Sequence, residues 1–169
     1  SAIGVRVVVL DRPNPIGGAV EGPTLDEALL GFNGYFPTPV RHGLTLGELA
    51  RLFNAERGIG ADLDVVPARG WRRATWFDQT GSSWVKPSRK MRNLYQAAVY
   101  PGSGAIEGGN LWVGRGTDTP FEQIGAPWID GHQLARELNT RALPGVRVYP
   151  VRFRPSSSRF AGELCEGVF

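Results

Sequence analysis

The chain has 169 residues with 41% hydrophobic and 21% charged side chains, enough to bury a core and too apolar for a disordered segment. Its net charge of +3, from 19 basic and 16 acidic residues, is too small to point to nucleic acid without a clustered patch. One cysteine and two histidines exclude an internal disulfide and make a cysteine- or histidine-rich metal site untenable, and no apolar run is long enough to span a membrane.

Val5–Leu10 is an almost unbroken branched apolar run, the pattern of a strand buried on both faces. It stops at Asp11 and gives way to Arg12-Pro13-Asn14-Pro15-Ile16-Gly17-Gly18. Ligands of open α/β sheets sit beyond the carboxyl ends of strands, so Asp11, Arg12 and Asn14 are candidate binding residues. The competing reading is that Asp11 begins a turn and Arg12 is solvated. Glu21–Pro39 reads as a crossover lying on the sheet, with a short helix over Thr24–Leu30 capped by Thr24, and Glu21 is a further candidate acid.

Thr45 and Glu48 have capping-box spacing, and Leu44 with Leu49 has that of a hydrophobic staple. A helix follows, with Leu46, Leu49, Ala50 and Phe53 on one face and Gly58 at its end. Arg41 and His42 lie just before its N-terminus. His42 is either a proton donor or anion contact, or a structural histidine. Leu63–Val66 is a short strand closed by Pro67. Trp71, Trp76 and Trp84 alternate with arginines, which suits stacking on sugars or bases, or else core packing with at least one of the three buried. The basic cluster Lys86–Arg92 reads as solvated, and Asn93 caps a short helix over Asn93–Ala98.

Tyr100–Asp130 is dense in glycine and carries Glu107, Asn110, Arg115, Thr117, Asp118 and Glu122. Ordering such a loop is costly, and the mixture of acid, amide and guanidinium is that of a polar small-ligand pocket walled partly by backbone. Ala105-Ile106 is expected to be a short buried strand that leaves Glu107 partly desolvated, as a general acid requires. Glu122 suits a loop-bracing role better. Asp130 and Gln133 have cap spacing for a helix with Leu134, Ala135 and Leu138 on its apolar face. Val146–Phe153 alternates as a half-exposed strand, and Pro155–Phe169 contains no complete element.

Taken together, VLDRPNPIGG, EGP, PVRHGLTLGELARLFN, YPG, EGGN, GRGT, PFEQIGAPWID, LPGV and GELCEGV, in this order, resemble the exo-β-N-acetylmuramidases of the NamZ type. The resemblance covers nearly the whole chain. It departs at Gly109, where the family usually has threonine, and at Pro87–Lys90. It implies an α/β fold, with residues 1–120 the C-terminal portion of a Rossmann-like catalytic domain and 121–169 the incomplete start of a smaller α/β domain. The implied active site is a cleft between the two. The implied function is release of terminal non-reducing N-acetylmuramic acid from peptidoglycan fragments by an exported bacterial hydrolase, with no cofactor, metal or nucleic acid. On that reading Glu107 is catalytic, Asn110 reads a sugar hydroxyl or the acetamido group, Arg115 pairs with the lactyl carboxylate, and Asp11, Arg12, Asn14, Glu21, Arg41, His42 and Glu122 line the site. The resemblance also leads us to expect that the chain is an internal piece, with a principal catalytic carboxylate upstream. A non-catalytic cell-wall binding module and a nucleotide-binding protein are the rival readings. The second lacks a glycine fingerprint joining a strand to a helix.

Overall fold

The computed structural model describes residues 4–169, which divide into two compact units, one ending at Ser83 and one running from Trp84 to Phe169. The change of strand pattern near Phe121 falls inside the second unit. There residues 111–123 are tied to the sheet that follows by a bridge between Trp112 and Gly125.

The first unit contains β1 (Val7–Leu10), β2 (Glu21–Thr24), β3 (Pro39–Arg41), α1 (Leu46–Glu56) and β4 (Leu63–Val66). β1 and β4 pair in parallel from Val7 with Leu63 to Leu10 with Val66, and α1 packs on both. This is a βαβ unit. Its helix starts where the sequence predicts. The Thr45 hydroxyl accepts from the Glu48 N–H, and the Glu48 carboxylate accepts from the Thr45 N–H at 2.9 Å. Gly58 follows its end at φ +57°, a conformation that suits glycine. Leu49, Ala50 and Phe53 are half-buried, but Leu46 at the first helical position is exposed.

Three expectations change. β1 is not buried on both faces: Val8 and Leu10 are 53% and 71% exposed, because among the described residues the strand pairs with β4 alone and is covered by α1 alone. Thr24 is the last residue of β2, and Asp26 caps a single 3-10 turn at Glu27–Leu29. Of the crossover's aromatic residues, Tyr35 and Phe36 lie on α1 rather than on the sheet, and Phe32 is fully exposed. Tyr35 and Phe36 meet Phe53 at 5.4 and 5.7 Å, with Arg57 over both rings.

The second unit contains α2 (Leu94–Ile106), β5 (Ile124–Ala126), α3 (Gly131–Thr140), β6 (Pro150–Phe153) and β7 (Cys165–Val168). The three strands form an antiparallel sheet ordered β5-β7-β6. The C-terminal segment therefore supplies the central strand, although its sequence, CEGV, carries little strand pattern. Its burial comes from close approach. A Cβ on Gly167 would lie 2.0 Å from the Ile124 carbonyl oxygen, and one on Gly131 would lie 2.6 Å from that of Gly167. The start of α3 thus rests directly on β7. Cys165 and Val168 are buried there with Trp112, Phe153 and Ala135. Asp130 caps α3 through the Gln133 N–H at 2.9 Å, and Leu134, Ala135 and Leu138 form the inward face.

α2 is twice as long as the sequence suggests. Asn93 caps it as expected, accepting from the Gln96 N–H, but the helix continues through Pro101 to Ile106. Proline removes one ladder hydrogen bond, to the carbonyl four residues earlier, and the helix tolerates that single loss. Ala105-Ile106 is consequently the last turn of a helix and not a strand. Trp71, Trp76 and Trp84 all retain some exposure; the buried tryptophan is Trp112, 6% exposed.

Candidate functional site

In the first unit the candidate residues gather around the turn that leads into α1. Asp11, at the end of β1, accepts from the Thr45 hydroxyl at 2.7 Å and from the Gly47 N–H at 2.8 Å. It thus supplies a second cap to α1, satisfying one of the helix's orphan donors. Gly47 permits this, since a Cβ there would sit 2.5 Å from Val65 and 2.8 Å from the Asp11 carboxyl carbon. Asn14 donates to the Leu44 carbonyl at 2.9 Å and accepts from the Ile16 N–H at 3.1 Å, joining the loop after β1 to the same turn. Arg73 adds a third tie, donating to the Gly43 carbonyl and to Glu48.

Arg41 pairs with Glu21 at 2.5 Å across the β2–β3 ladder, donates to the Ile16 carbonyl, and lies 5.6 Å from the centre of the Trp76 ring. Its Nε is buried without a hydrogen-bond partner. Glu21 remains largely exposed. His42 is half-buried, and its Nδ1 accepts from the Leu44 N–H at 3.1 Å. Burial lowers its pKa from 6.5, so the ring is neutral near pH 7, in keeping with that accepting role. Arg12 is exposed, and its side chain makes no hydrogen bond or ion pair among the described residues. Asp11, Asn14 and His42 therefore brace the turn, and Glu21, Arg41 and Arg12 present charge around it.

In the second unit Glu107 and Arg115 form one object. Glu107 is the C-terminal cap of α2, and both its carboxylate oxygens accept from the guanidinium of Arg115: Oε1 from Nε, and Oε2 from Nη2 at 2.9 Å. The carboxylate is held as an acceptor, and the partner's hydrogen bond is the main cause raising the already high pKa of Arg115. Both side chains are about three-quarters buried. Arg115 reaches this position because its own carbonyl accepts from the Trp112 indole N–H at 2.7 Å. Its guanidinium lies 4.9 Å from the centre of the Phe121 ring, which meets Tyr100 of α2 edge-on at 4.8 Å. Phe121 has φ +71°, a region costly for a bulky side chain, held by its N–H to the Val113 carbonyl at 2.7 Å. Trp112, Tyr100 and Phe121 are thus the positioning residues that the sequence pattern did not single out; no periodic signal marks them.

Glu122 accepts from Gln96 Nε2 at 2.8 Å, and the buried Gln96 accepts in turn from the Arg92 N–H at 2.6 Å. Glu122 braces the loop, as its sequence position suggests. Asn110 is exposed, three residues beyond Glu107. Among the described residues, no group of three or more His, Cys, Asp or Glu side chains is placed to hold a metal, and no helix is long and apolar enough to cross a membrane.

Comparison with known proteins gives this geometry its family. Residues 1–95 match the N-terminal model, and residues 98–169 the C-terminal model, of exo-beta-N-acetylmuramidase NamZ. Peptidoglycan beta-N-acetylmuramidase NamZ of Bacillus subtilis (strain 168) is 48% identical over 166 residues, which is 98% of this chain and 40% of that protein. Two crystal structures of DUF1343 family proteins from Bacteroides fragilis NCTC 9343 superpose with TM-scores of 0.87 and 0.76, at 36% and 30% identity. Each covers 96% of this chain, which spans 44% and 43% of theirs. The chain thus spans less than half the length of these relatives. Matched from end to end by the two models, it belongs to the exo-beta-N-acetylmuramidase NamZ family.

Proposed function

We propose that this chain is part of a glycoside hydrolase that releases terminal non-reducing N-acetylmuramic acid from peptidoglycan fragments. The observation that carries this reading is the 48% identity, over nearly the whole chain, to a protein named peptidoglycan beta-N-acetylmuramidase, and the family models, named for the exo-acting enzyme, support action at a chain end. The parallel β1–α1–β4 unit supports placing the first unit in a Rossmann-like domain. A peptidoglycan substrate lies outside the cytoplasmic membrane, which is the reason to expect export.

Within the chain, Glu107 is the carboxylate we assign to chemistry. Glycoside hydrolysis uses one carboxyl group as proton donor and a second, ionised, as base, nucleophile or stabiliser of the cationic transition state. The Arg115 fork on both oxygens of Glu107 suits the second role, not the proton-donating one the sequence suggests. Asn110 lies close enough in sequence to share the sugar site. Arg115, committed to Glu107, positions the carboxylate. The test is hydrolysis of a chromogenic N-acetylmuramide by the full-length protein and its Glu107→Gln variant. Binding of the saccharide without turnover would make the protein a carbohydrate-binding module instead.

A further inference from the structure

An open pocket of about 440 Å³ lies in the second unit, within the size range of small-ligand sites. It begins at Gly116, next to Arg115, and is lined by Lys90, Arg92, Asp118, Phe153, Arg154 and Ser157 among others. Its walls are fixed to one another. The Ser156 N–H and hydroxyl both donate to the Gly116 carbonyl at 2.8 Å. Arg92 donates to the backbone and carboxylate of Asp118, at 3.1 and 3.3 Å.

The charge on those walls does not balance. Asp118 is the single acid and is paired with Arg92. Arg154 spends one nitrogen on the neutral Gly162 carbonyl and, among the described residues, has no carboxylate partner. Lys90 and the Ser157 hydroxyl have no hydrogen bond among the described residues. Two uncompensated cations and a free hydroxyl thus face one opening with a buried aromatic ring, Phe153, in its lining. The basic cluster that the sequence presents as solvated supplies one of them.

We propose that this pocket is the subsite for the carboxylate carried by the saccharide, the lactyl group that distinguishes muramic acid from glucosamine. The proposal rests on the muramidase reading and replaces Arg115 as the anion anchor, because the guanidinium of Arg115 is already held by Glu107. A carboxylate accepts charge-assisted hydrogen bonds from an ammonium, a guanidinium and a hydroxyl together, which is the donor set left open here.

The test compares N-acetylmuramic acid glycosides with their lactyl methyl amides and with N-acetylglucosamine glycosides, in the full-length protein and in Lys90→Ala, Arg154→Met and the double variant. Wild-type protein is expected to prefer the acid, and the double variant to lose roughly tenfold or more of that preference. Turnover of the uncharged substrates and the melting temperature should stay near wild type. Retention of the full preference by the double variant, with turnover intact, overturns the pocket and leaves the muramidase reading standing. If the wild type turns over no muramide, that reading fails on its own, and calorimetric binding decides the pocket. Tighter binding of N-acetylmuramic acid than of N-acetylglucosamine, lost in the double variant, supports it; equal binding overturns it.

Discussion

Arg115 grips both carboxylate oxygens of Glu107, joining the end of α2 to a loop held by Trp112 and Phe121. Cutting either half leaves a mostly buried charge without its partner, which is more damaging than removing the pair. Glu107→Gln should lower the turnover number by about 10²–10⁴-fold with the fold retained, because the amide cannot supply the negative charge. Arg115→Met should lower both turnover and stability, the latter by about 1–3 kcal/mol. A double-mutant cycle in urea denaturation, together with kcat, measures the coupling. Additive losses in both readouts would show that the two residues act separately.

Gly47 and Gly102 make a paired test of close packing. Gly47→Ala should cost about 1–3 kcal/mol, since its Cβ would strike Val65 and the Asp11 carboxyl group. Gly102, inside α2, has nothing within 4 Å of its Cβ position, so Gly102→Ala should stabilise by roughly 0.5–1 kcal/mol. Urea midpoints of the two variants should move in opposite directions. A Gly47→Ala midpoint at or above wild type would show that α1 packs more loosely on Val65 and Asp11, and a lowered Gly102→Ala midpoint would show that the Gly102 position is not open.

The caps of α1, α2 and α3 were legible in the sequence because a cap is a local exchange between residues three apart, as in Thr45–Glu48 and Asp130–Gln133. β4 was legible for a similar reason, a short branched run closed by proline. What was not legible depends on distant partners. CEGV becomes a central strand because Gly167 lets Ile124 approach, a fact that no window around Cys165 contains. Pro101 and the surrounding glycines hid the second half of α2. Glu107 and Arg115 stood out as chemistry-bearing residues, but their pairing joins positions eight apart through a turn of the loop. Asp11 and Asn14 stand out in the sequence for lying beyond a strand end, and His42 for preceding a helix N-terminus; in the structure all three hold the turn itself.

Asp11 accordingly belongs to stability before chemistry. Asp11→Ala removes the acceptor for the Thr45 hydroxyl and the Gly47 N–H, and should cost about 1–2 kcal/mol, as the loss of a helix cap does. Its kcat/KM, measured well below the melting temperature, should remain within a few-fold of wild type (about 1 kcal/mol is a factor of five). A fall of about 10²-fold or more in a fully folded variant would move Asp11 into the catalytic machinery.

His42 gives the first unit a pH dependence of definite sign. Burial lowers its pKa in the folded chain below 6.5, so as the pH falls the unfolded chain takes up the proton first. The stability that neutral His42 contributes is complete above the unfolded value and is lost as the pH falls towards the folded one. His42→Asn keeps an acceptor for the Leu44 N–H without the titration. Between about pH 7.5 and about pH 5 the melting temperature should drop further in the wild type than in His42→Asn. Equal drops would assign the acid sensitivity to other groups.

Hydrolysis of a chromogenic β-N-acetylmuramide, set beside the matching β-N-acetylglucosaminide, tests the central claim most directly. The full-length protein should release N-acetylmuramic acid from the first and turn over the second far more slowly, and Glu107→Gln should abolish nearly all of the first rate. No turnover of the muramide by well-folded protein, or equal rates on the two sugars, would contradict the muramidase reading.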